Sequence, residues 1–220
     1  MGKIKKVLII QPHSDDALFC CSSFLLASDC KVKVLTVEND VKRIAEDTKL
    51  YGFLDIPYSH LNVEFKDESY YGYNKEYPEV TIEDSLNYLV TYFGNKTLNE
   101  IEEAIVKWVN DFMKKNPGYR ILVPWGVGHP FHIFVRNVCE TMLDEKLMYY
   151  RDFPHSFKRR SRLQVEKQKE IYRLSSSVEV EEFHDIKWKL ASKFYRTQSG
   201  LQFYEQGYIR KKLPEEFYEL

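Results

Sequence analysis

Short apolar runs alternate with longer amphipathic stretches along most of this chain. The runs are rich in β-branched residues and show little polar alternation, which is typical of strands buried on both faces of a parallel sheet. The longer stretches carry apolar residues three or four positions apart, and this spacing predicts helices. A regular alternation of the two patterns implies crossover connections between parallel strands. We therefore expect an α/β fold with a mostly parallel sheet.

The pattern places strands and helices along the whole chain. The predicted strands are residues 6–10, 31–37, 58–65, 119–125 and 146–150, with an edge strand at 178–183. The predicted helices are residues 17–28, 41–54, 98–115, 133–143 and 185–197. Residues 66–96 interrupt this rhythm with tyrosines set among Gly, Pro, Asn and acidic residues. That region is open to two interpretations, a long loop that lines a site, or an inserted helix and hairpin packed on the domain edge.

Length and composition narrow the class of protein. A chain of 220 residues with 44% hydrophobic and 30% charged residues is typical of one globular domain. The formal net charge of -1 gives no overall attraction to nucleic acid or anionic lipid. No apolar run is long enough for an export signal or a membrane span. The four cysteines lack CxxC spacing, which favours free thiols in a cytoplasmic protein.

Polar residues follow two of the predicted strands directly. The segment QPHSDD comes after residues 6–10, and GVGHPFH comes after residues 119–125. In open α/β sheets, ligands bind at the carboxyl ends of the strands. Each segment has two polar residues three positions apart, His13 with Asp16 and His129 with His132. If the two strands that precede these segments are neighbours in the sheet, their carboxyl ends bring the four side chains into one crevice.

Two imidazoles and one carboxylate from this group would suit a catalytic zinc ion, which takes three protein ligands and keeps a fourth position for water. Asp15 beside them could accept a proton. Each segment alone has an ordinary explanation, because Asp15 and Asp16 could cap a helix, whose N-terminal turn favours acidic residues, and an HxxH pair can flank a turn. The coincidence of both segments at strand ends favours the metal site.

The same residues resemble the motifs of a known family. Pro12-His13-Ser14-Asp15-Asp16 resembles the (A/P)HPDDE motif of the PIG-L/LmbE-like metal-dependent N-deacetylases, and His129-Pro130-Phe131-His132 resembles their second motif, HPDH. Weaker similarities follow in the family's order along nearly the whole chain. They are Arg43 with Glu46, Gly52, Pro57, the segment YYRDFP at 149–154 and the helix end YRTQ at 195–198.

The resemblance implies a role for each matching residue. His13, Asp16 and His132 would bind zinc, Asp15 would be the general base, and His129 would stabilise the oxyanion. Two further residues are implied to bind substrate. Arg43 would lie near the substrate, although a solvent-facing helix residue is an equal alternative, and Asp67 would bind a sugar hydroxyl.

The chain departs from the motifs at several positions. Ser14 replaces a proline, Ala17 a glutamate and Phe131 an aspartate, while Ser22 and Ser23 stand where the family has Gly-Gly. The implied ligands and base are all present. We therefore expect a competent metal site whose substrate pocket has diverged.

Other polar residues carry weaker expectations. The basic segment 158–173 would suit a phosphate-bearing substrate, although such a run is more often a solvated helix face. We expect His60 to be packed, His155 to lie at the pocket rim, and His184 to be a surface or capping residue.

Together these observations predict a single Rossmann-like α/β domain over residues 1–220, a three-layer sandwich with a mostly parallel sheet. The resemblance implies a zinc-dependent N-deacetylase acting on an acetylated amino sugar or glycoconjugate, with another divalent metal as an option. Two alternatives stay open, a metal amidase for a non-sugar acylated amine and a non-catalytic binding module. The expected partner is the small-molecule acetylated amino sugar or glycoconjugate. We expect neither a nucleic-acid partner nor a transmembrane segment. The sequence leaves a homo-oligomer open.

Overall fold

Seven strands form one sheet in the computed structural model, which describes residues 4–38, 40–61, 81–142, 147–178, 181–195 and 213–220. The strands are β1 Lys6–Gln11, β2 Lys31–Thr36, β3 Tyr58–His60, β4 Arg120–Pro124, β5 Leu147–Tyr150, β6 Arg173–Val178 and β7 Glu215–Glu219. Their order across the sheet is β3-β2-β1-β4-β5-β7-β6. The first five strands are parallel, and β7 runs antiparallel to both β5 and β6. The predicted Rossmann-like α/β architecture with a mostly parallel sheet is confirmed.

Helices cover both faces of this sheet. They are α1 Asp16–Cys20, α2 Ser22–Leu25, α3 Val41–Leu54, α4 Ile82–Lys115, α5 Pro130–Met142, α6 Arg162–Ile171 and α7 Glu181–Phe194, with short 3-10 helices at His155–Phe157 and Arg159–Ser161. Alternate residues of β1 point to opposite sides of the sheet. Leu8 and Ile10 join a core cluster with α4 and α5, while Val7 and Ile9 join a second cluster with α1, α3 and α7. The sheet is therefore the middle of three layers, with one core and one layer of helices on each of its faces. Within the described residues, no helix has the length and apolar character that crossing a membrane requires.

The predicted helix at 17–28 is interrupted at Cys21, where the backbone leaves helical geometry (φ -136°, ψ 26°). The interruption has a tertiary cause. Both carboxylate oxygens of Glu215, on β7, accept hydrogen bonds from the backbone N–H groups of Ser22 and Ser23, at 3.0 and 2.9 Å. A buried acid from the far end of the chain therefore divides the segment into α1 and α2.

The helix predicted at 98–115 begins much earlier, at Ile82. A capping box between Thr81 and Asp84 fixes its start, and Gly94 (φ 75°, ψ 153°) kinks it. The loop interpretation of residues 66–96 is therefore wrong for 82–96, where the inserted-helix interpretation holds. Residues 66–80 lie outside the described part of the chain.

The C-terminal region differs most from the prediction. Alternating valine and glutamate favours a strand at 178–183, but β6 occupies residues 173–178 and α7 begins at Glu181. The helix prevails because its inward face buries Leu190 and Ala191 in the core. Strand β7 was not predicted, since its sequence EEFYE lacks a strand-like pattern. Pairing with neighbours on both sides stabilises it there.

Candidate metal centre

Strands β1 and β4 are hydrogen-bonded neighbours in the sheet, with Ile9 opposite Leu122. Their carboxyl ends consequently place the turn after Gln11 beside the turn after Pro124. His13 and Asp16 belong to the first turn, while His129 precedes α5 and His132 lies in its first helical turn. All four side chains are buried. The structure brings together the four residues that the sequence places at two strand ends.

Three donor atoms from these turns lie close to one another. Nδ1 of His13 is 3.0 Å from Nε2 of His132. Oδ2 of Asp16 is 3.5 Å from that His13 nitrogen and 3.3 Å from that His132 nitrogen. Ligands held about 2.0–2.1 Å from a tetrahedral zinc are about 3.3 Å apart. The spacing and the chemistry of this donor set therefore fit zinc.

The Asp16 carboxylate is fixed by its own turn. Its Oδ2 atom accepts a hydrogen bond from the backbone N–H of His13 at 2.8 Å. Burial alone would raise the pKa of Asp16, but the imidazoles of His132 and His13 outweigh that effect and lower it well below its ordinary value. Asp16 is therefore a carboxylate, which is the form that binds a metal.

Asp152 orients His132. Its Oδ1 lies 2.6 Å from Nδ1 of His132, and its Oδ2 accepts a hydrogen bond from the backbone N–H of Val127 at 3.0 Å. Burial lowers the pKa of His132, but Asp16 and Asp152 together raise it to about 9. A carboxylate on the outer nitrogen of a metal-binding histidine fixes the ring and makes it a stronger ligand. No role was predicted for Asp152, although its place just after β5, at the same sheet edge, was the available signal.

Asp15 precedes Asp16 but faces different neighbours. Its Oδ1 lies 3.5 Å from the Arg43 guanidinium, which also donates to Oε1 of Glu38 at 2.8 Å. Burial raises the pKa of Asp15 to about 8, against the lowering effect of Arg43. The backbone of Asp15 is strained, with φ 117°, a value that L-residues rarely adopt. Its side chain makes no helix-capping hydrogen bond, so the capping alternative fails for this residue.

Arg43 is not the solvent-facing residue that the alternative interpretation described, since only 17% of its side chain is exposed. It holds Glu38 and Asp15 at the edge of the centre. Whether it binds substrate stays a prediction. Asp67, the second predicted substrate residue, lies outside the described residues.

His129 lies against both histidines of the donor set. Its ring centroid is 4.7 Å from that of His13 and 4.8 Å from that of His132. The backbone N–H of Phe131 donates to its Nδ1 at 3.2 Å, which leaves the proton of the neutral ring on Nε2. Burial and the neighbouring imidazoles lower its pKa well below the ordinary value. The ligating atoms of His13, His129 and His132 lie within 4.8 Å of one another, so three imidazoles form a second, wider ligand set.

The remaining histidines occupy three different settings. The His155 ring is 4.9 Å from that of His129 and is partly exposed, so it lies beside the centre, and its place at a substrate-pocket rim stays a prediction. His60 is packed as expected, with Nε2 3.3 Å from Oδ2 of Asp47. His184 is buried, and the surface prediction is wrong because the residue lies on the inward face of α7.

The basic segment 158–173 turns its polar but uncharged side chains inward. Ser161, Gln164 and Gln168 are buried. The Arg162 side chain, in contrast, is 79% exposed, and its Nε pairs with Oε1 of Glu166 at 2.9 Å. For these residues the solvated helix face describes the segment better than a phosphate site does.

Two departures from the family motifs have structural partners. Phe131, in place of an aspartate, is fully buried with its ring 5.6 Å from that of His13. Ser22 and Ser23, in place of two glycines, bind Glu215.

Comparison of this chain with protein-family models, curated proteins and solved structures found no match.

Proposed function

We propose that this protein is a zinc-dependent hydrolase of the PIG-L/LmbE-like type that removes the N-acetyl group from an amino sugar or glycoconjugate. One observation carries the proposal. A compact donor set of His13, Asp16 and His132 lies beside a second acid, Asp15, that is paired with Arg43 and is not part of that set. A structural metal site needs no such spare acid.

His13, Asp16 and His132 would hold the ion. Zinc in such a site polarises an amide carbonyl and lowers the pKa of water toward neutrality. Asp152 supports this set by orienting His132 and by holding the Val127 amide that precedes His129. Asp152 thereby ties the backbone before His129 to the side chain of His132 within the second turn.

Asp15 suits the work of a general base. A base is most effective when its pKa lies near the working pH, and burial moves that of Asp15 upward from the ordinary carboxyl range. A cation held by Asp16 and the two histidines would lower it again, because a nearby positive charge favours the carboxylate. Asp15 can therefore take a proton from the attacking water and return it to the leaving amine nitrogen.

His129 would act as a neutral hydrogen-bond donor. Its Nδ1 accepts from Phe131, so the ring would donate through Nε2–H to a developing negative charge on the substrate carbonyl oxygen. Because the pKa of His129 is lowered, the ring is rarely in its imidazolium form and does not supply the second proton. That task then falls to protonated Asp15, and the products are acetate and a free amine.

The test compares two aspartate-to-asparagine variants after zinc loading. Asp15→Asn removes the base, and Asp55→Asn makes the same change at another positive-φ aspartate, which is exposed and lies at the end of α3. Amine release would be followed over a panel of acetylated amino sugars, acylated amino acids and acylated polyamines. We expect Asp15→Asn to lose at least about 100-fold in turnover with its zinc content unchanged, and Asp55→Asn to match the wild type.

Each contrary outcome has a distinct meaning. Undiminished turnover in Asp15→Asn would refute the base assignment. Release of amine only from acylated amino acids or polyamines would favour the non-sugar amidase. A zinc content near zero after zinc is supplied would favour the non-catalytic binding module.

A further inference from the structure

Two successive backbone amides before His129 are held by buried side chains from different parts of the chain. The N–H of Val127 donates to Asp152, and the N–H of Gly128 donates to Oε1 of Gln164 at 2.7 Å. Gln164 is only 1% exposed and lies on α6, whose Arg162, Lys167 and Lys169 face solvent. A hydrogen bond in such a dry position is costly to leave unmade.

Gly128 allows this segment to approach closely. Its φ of 76° is in the left-handed region, which glycine adopts without steric cost. A Cβ atom at this position would lie 2.9 Å from the backbone oxygen of His155 and would also collide with Oγ of Ser161. The 3-10 helices and α6 thus pack directly onto the turn that carries His129.

The hydrogen bonds that follow His129 act on different groups, and its backbone oxygen accepts from the N–H of Ile133 at 3.2 Å. On the other side of His129, the Phe131 N–H bonds to the imidazole itself, which sets the rotation of the ring but not the path of the preceding backbone. The positions of Cα and Cβ of His129 depend on that path, and an error of about 1 Å at a catalytic group can cost about 100-fold in rate.

We infer that Gln164 is a positioning residue for His129, holding the Gly128 amide so that the Nε2–H of His129 points into the metal centre. The functional consequence rests on the proposed role of His129 in hydrolysis. The structural part does not, because the hydrogen bond and the ring orientation can be measured without any substrate.

Helix α6 supplies a matched control. Gln168 lies one turn after Gln164, is equally buried, and its side chain makes no hydrogen bond to the described part of the Gly128 turn. Gln164→Met and Gln168→Met therefore remove the same amide at nearly constant volume, and only the first removes the support of Gly128. Gln164→Asn, whose shortened side chain cannot reach Gly128, serves as a second variant should Gln164→Met not fold.

The first measurements use the zinc-loaded protein without substrate. Hydrogen exchange should show a protected Gly128 amide in the wild type and in Gln168→Met, and at least tenfold faster exchange in Gln164→Met, while the Val127 amide stays protected. Two-bond proton–nitrogen spectra of the imidazoles should show one Nε2–H form of His129 in the wild type and altered or doubled His129 signals in Gln164→Met. Unchanged Gly128 exchange and unchanged His129 signals would overturn the inference.

The second measurement uses whichever acetylated compound of the panel is hydrolysed. Gln164→Met should lower kcat about tenfold or more, as loss of an outer hydrogen bond at a metal site typically does, with KM within threefold and zinc content unchanged. Equal losses in Gln164→Met and Gln168→Met would mean a general packing effect and overturn the inference. If no compound is hydrolysed, the deacetylase proposal fails, and the exchange and imidazole measurements still decide the role of Gln164.

Discussion

Nδ1 of His13 lies 3.0 Å from Nε2 of His132, although 119 positions separate the two residues in the sequence. The contact exists because β1 and β4 are adjacent parallel strands whose carboxyl ends meet at one edge of the sheet. Asp16 lies within 3.5 Å of both nitrogens. Two turns from distant parts of the chain therefore supply one compact donor set, and the proposed chemistry depends on it.

Replacing a proposed ligand should weaken zinc binding. We expect His13→Ala, Asp16→Ala and His132→Ala each to lower zinc affinity by more than about 100-fold, since even an outer partner of a ligand contributes about 10–100-fold. Isothermal titration with zinc measures this directly. His60→Ala is the control, because His60 also pairs with a buried carboxylate at this sheet edge. Strong binding in Asp16→Ala together with weak binding in His129→Ala would identify the three-imidazole set instead.

Asp152→Asn should weaken zinc binding without removing a ligand. The asparagine side chain is uncharged and has one oxygen, so it cannot accept from both Nδ1–H of His132 and the Val127 N–H as the two carboxylate oxygens do. We expect a loss of about 10–100-fold in zinc affinity, measured by the same titration. Glu216→Gln is the control, because Glu216 pairs with Arg151 at 2.6 Å beside Asp152 in sequence. Equal affinity in the two variants would contradict the role of Asp152.

Asp15→Gly should make the metal-free protein more stable while removing activity. Glycine adopts φ 117° freely, whereas a strained non-glycine backbone costs about 1–3 kcal/mol, and burial of the Asp15 carboxyl is also unfavourable. Urea unfolding measures the gain. Asp55→Gly is the control, since Asp55 has a positive φ of 55° at an exposed position outside the centre. A gain no larger than that of Asp55→Gly would show that Asp15 stores no strain.

Glu215 should make stability sensitive to acid. Burial alone would raise its pKa, but the Lys187 ammonium 2.9 Å away and the hydrogen bonds from Ser22 and Ser23 lower it below the ordinary 4.5. Because the folded-state pKa is the lower one, this stabilisation is present above pH 4.5 and is lost as the pH falls through the folded-state pKa.

The test of this acid dependence is Glu215→Gln, which leaves Lys187 buried without its charge partner and should cost about 3 kcal/mol at pH 7. The difference from wild type in urea unfolding should stay constant between pH 7 and pH 5 and shrink below pH 4.5. Glu219→Gln, which alters a half-exposed pair with Arg120, should show little difference at any pH. A constant difference for Glu215→Gln down to pH 3 would contradict the lowered pKa.

Local pattern was sufficient for much of the fold. The bounds of α3 match the predicted helix at 41–54, and β1, β2, β4 and β5 differ from their predicted strands by at most one residue at either end. These elements are encoded by hydrophobic periodicity over short windows, which does not depend on distant residues. The alternation of strands and helices then led to the parallel sheet, because crossover connections follow from it.

Contacts between distant segments decided what local pattern could not. Glu215 splits the helix expected at 17–28, and β7 becomes a strand only because β5 and β6 flank it. Within the candidate metal centre, Asp152 and Gln164 were not recognised from sequence as supports of His132 and His129. A single aspartate or glutamine carries no sequence signal of the atom it will bond.

By itself, the sequence determined the α/β class, the two histidine-containing turns and the acids beside the first of them, because periodicity and motifs are local properties of the chain. Only the tertiary structure decided that β1 and β4 are neighbours, that Asp15 faces Arg43 while Asp16 faces two imidazoles, and that α6 supports the second turn. The physical reason is that most of these donor distances and buried hydrogen bonds arise from packing between segments that are distant in the sequence, which no local pattern encodes.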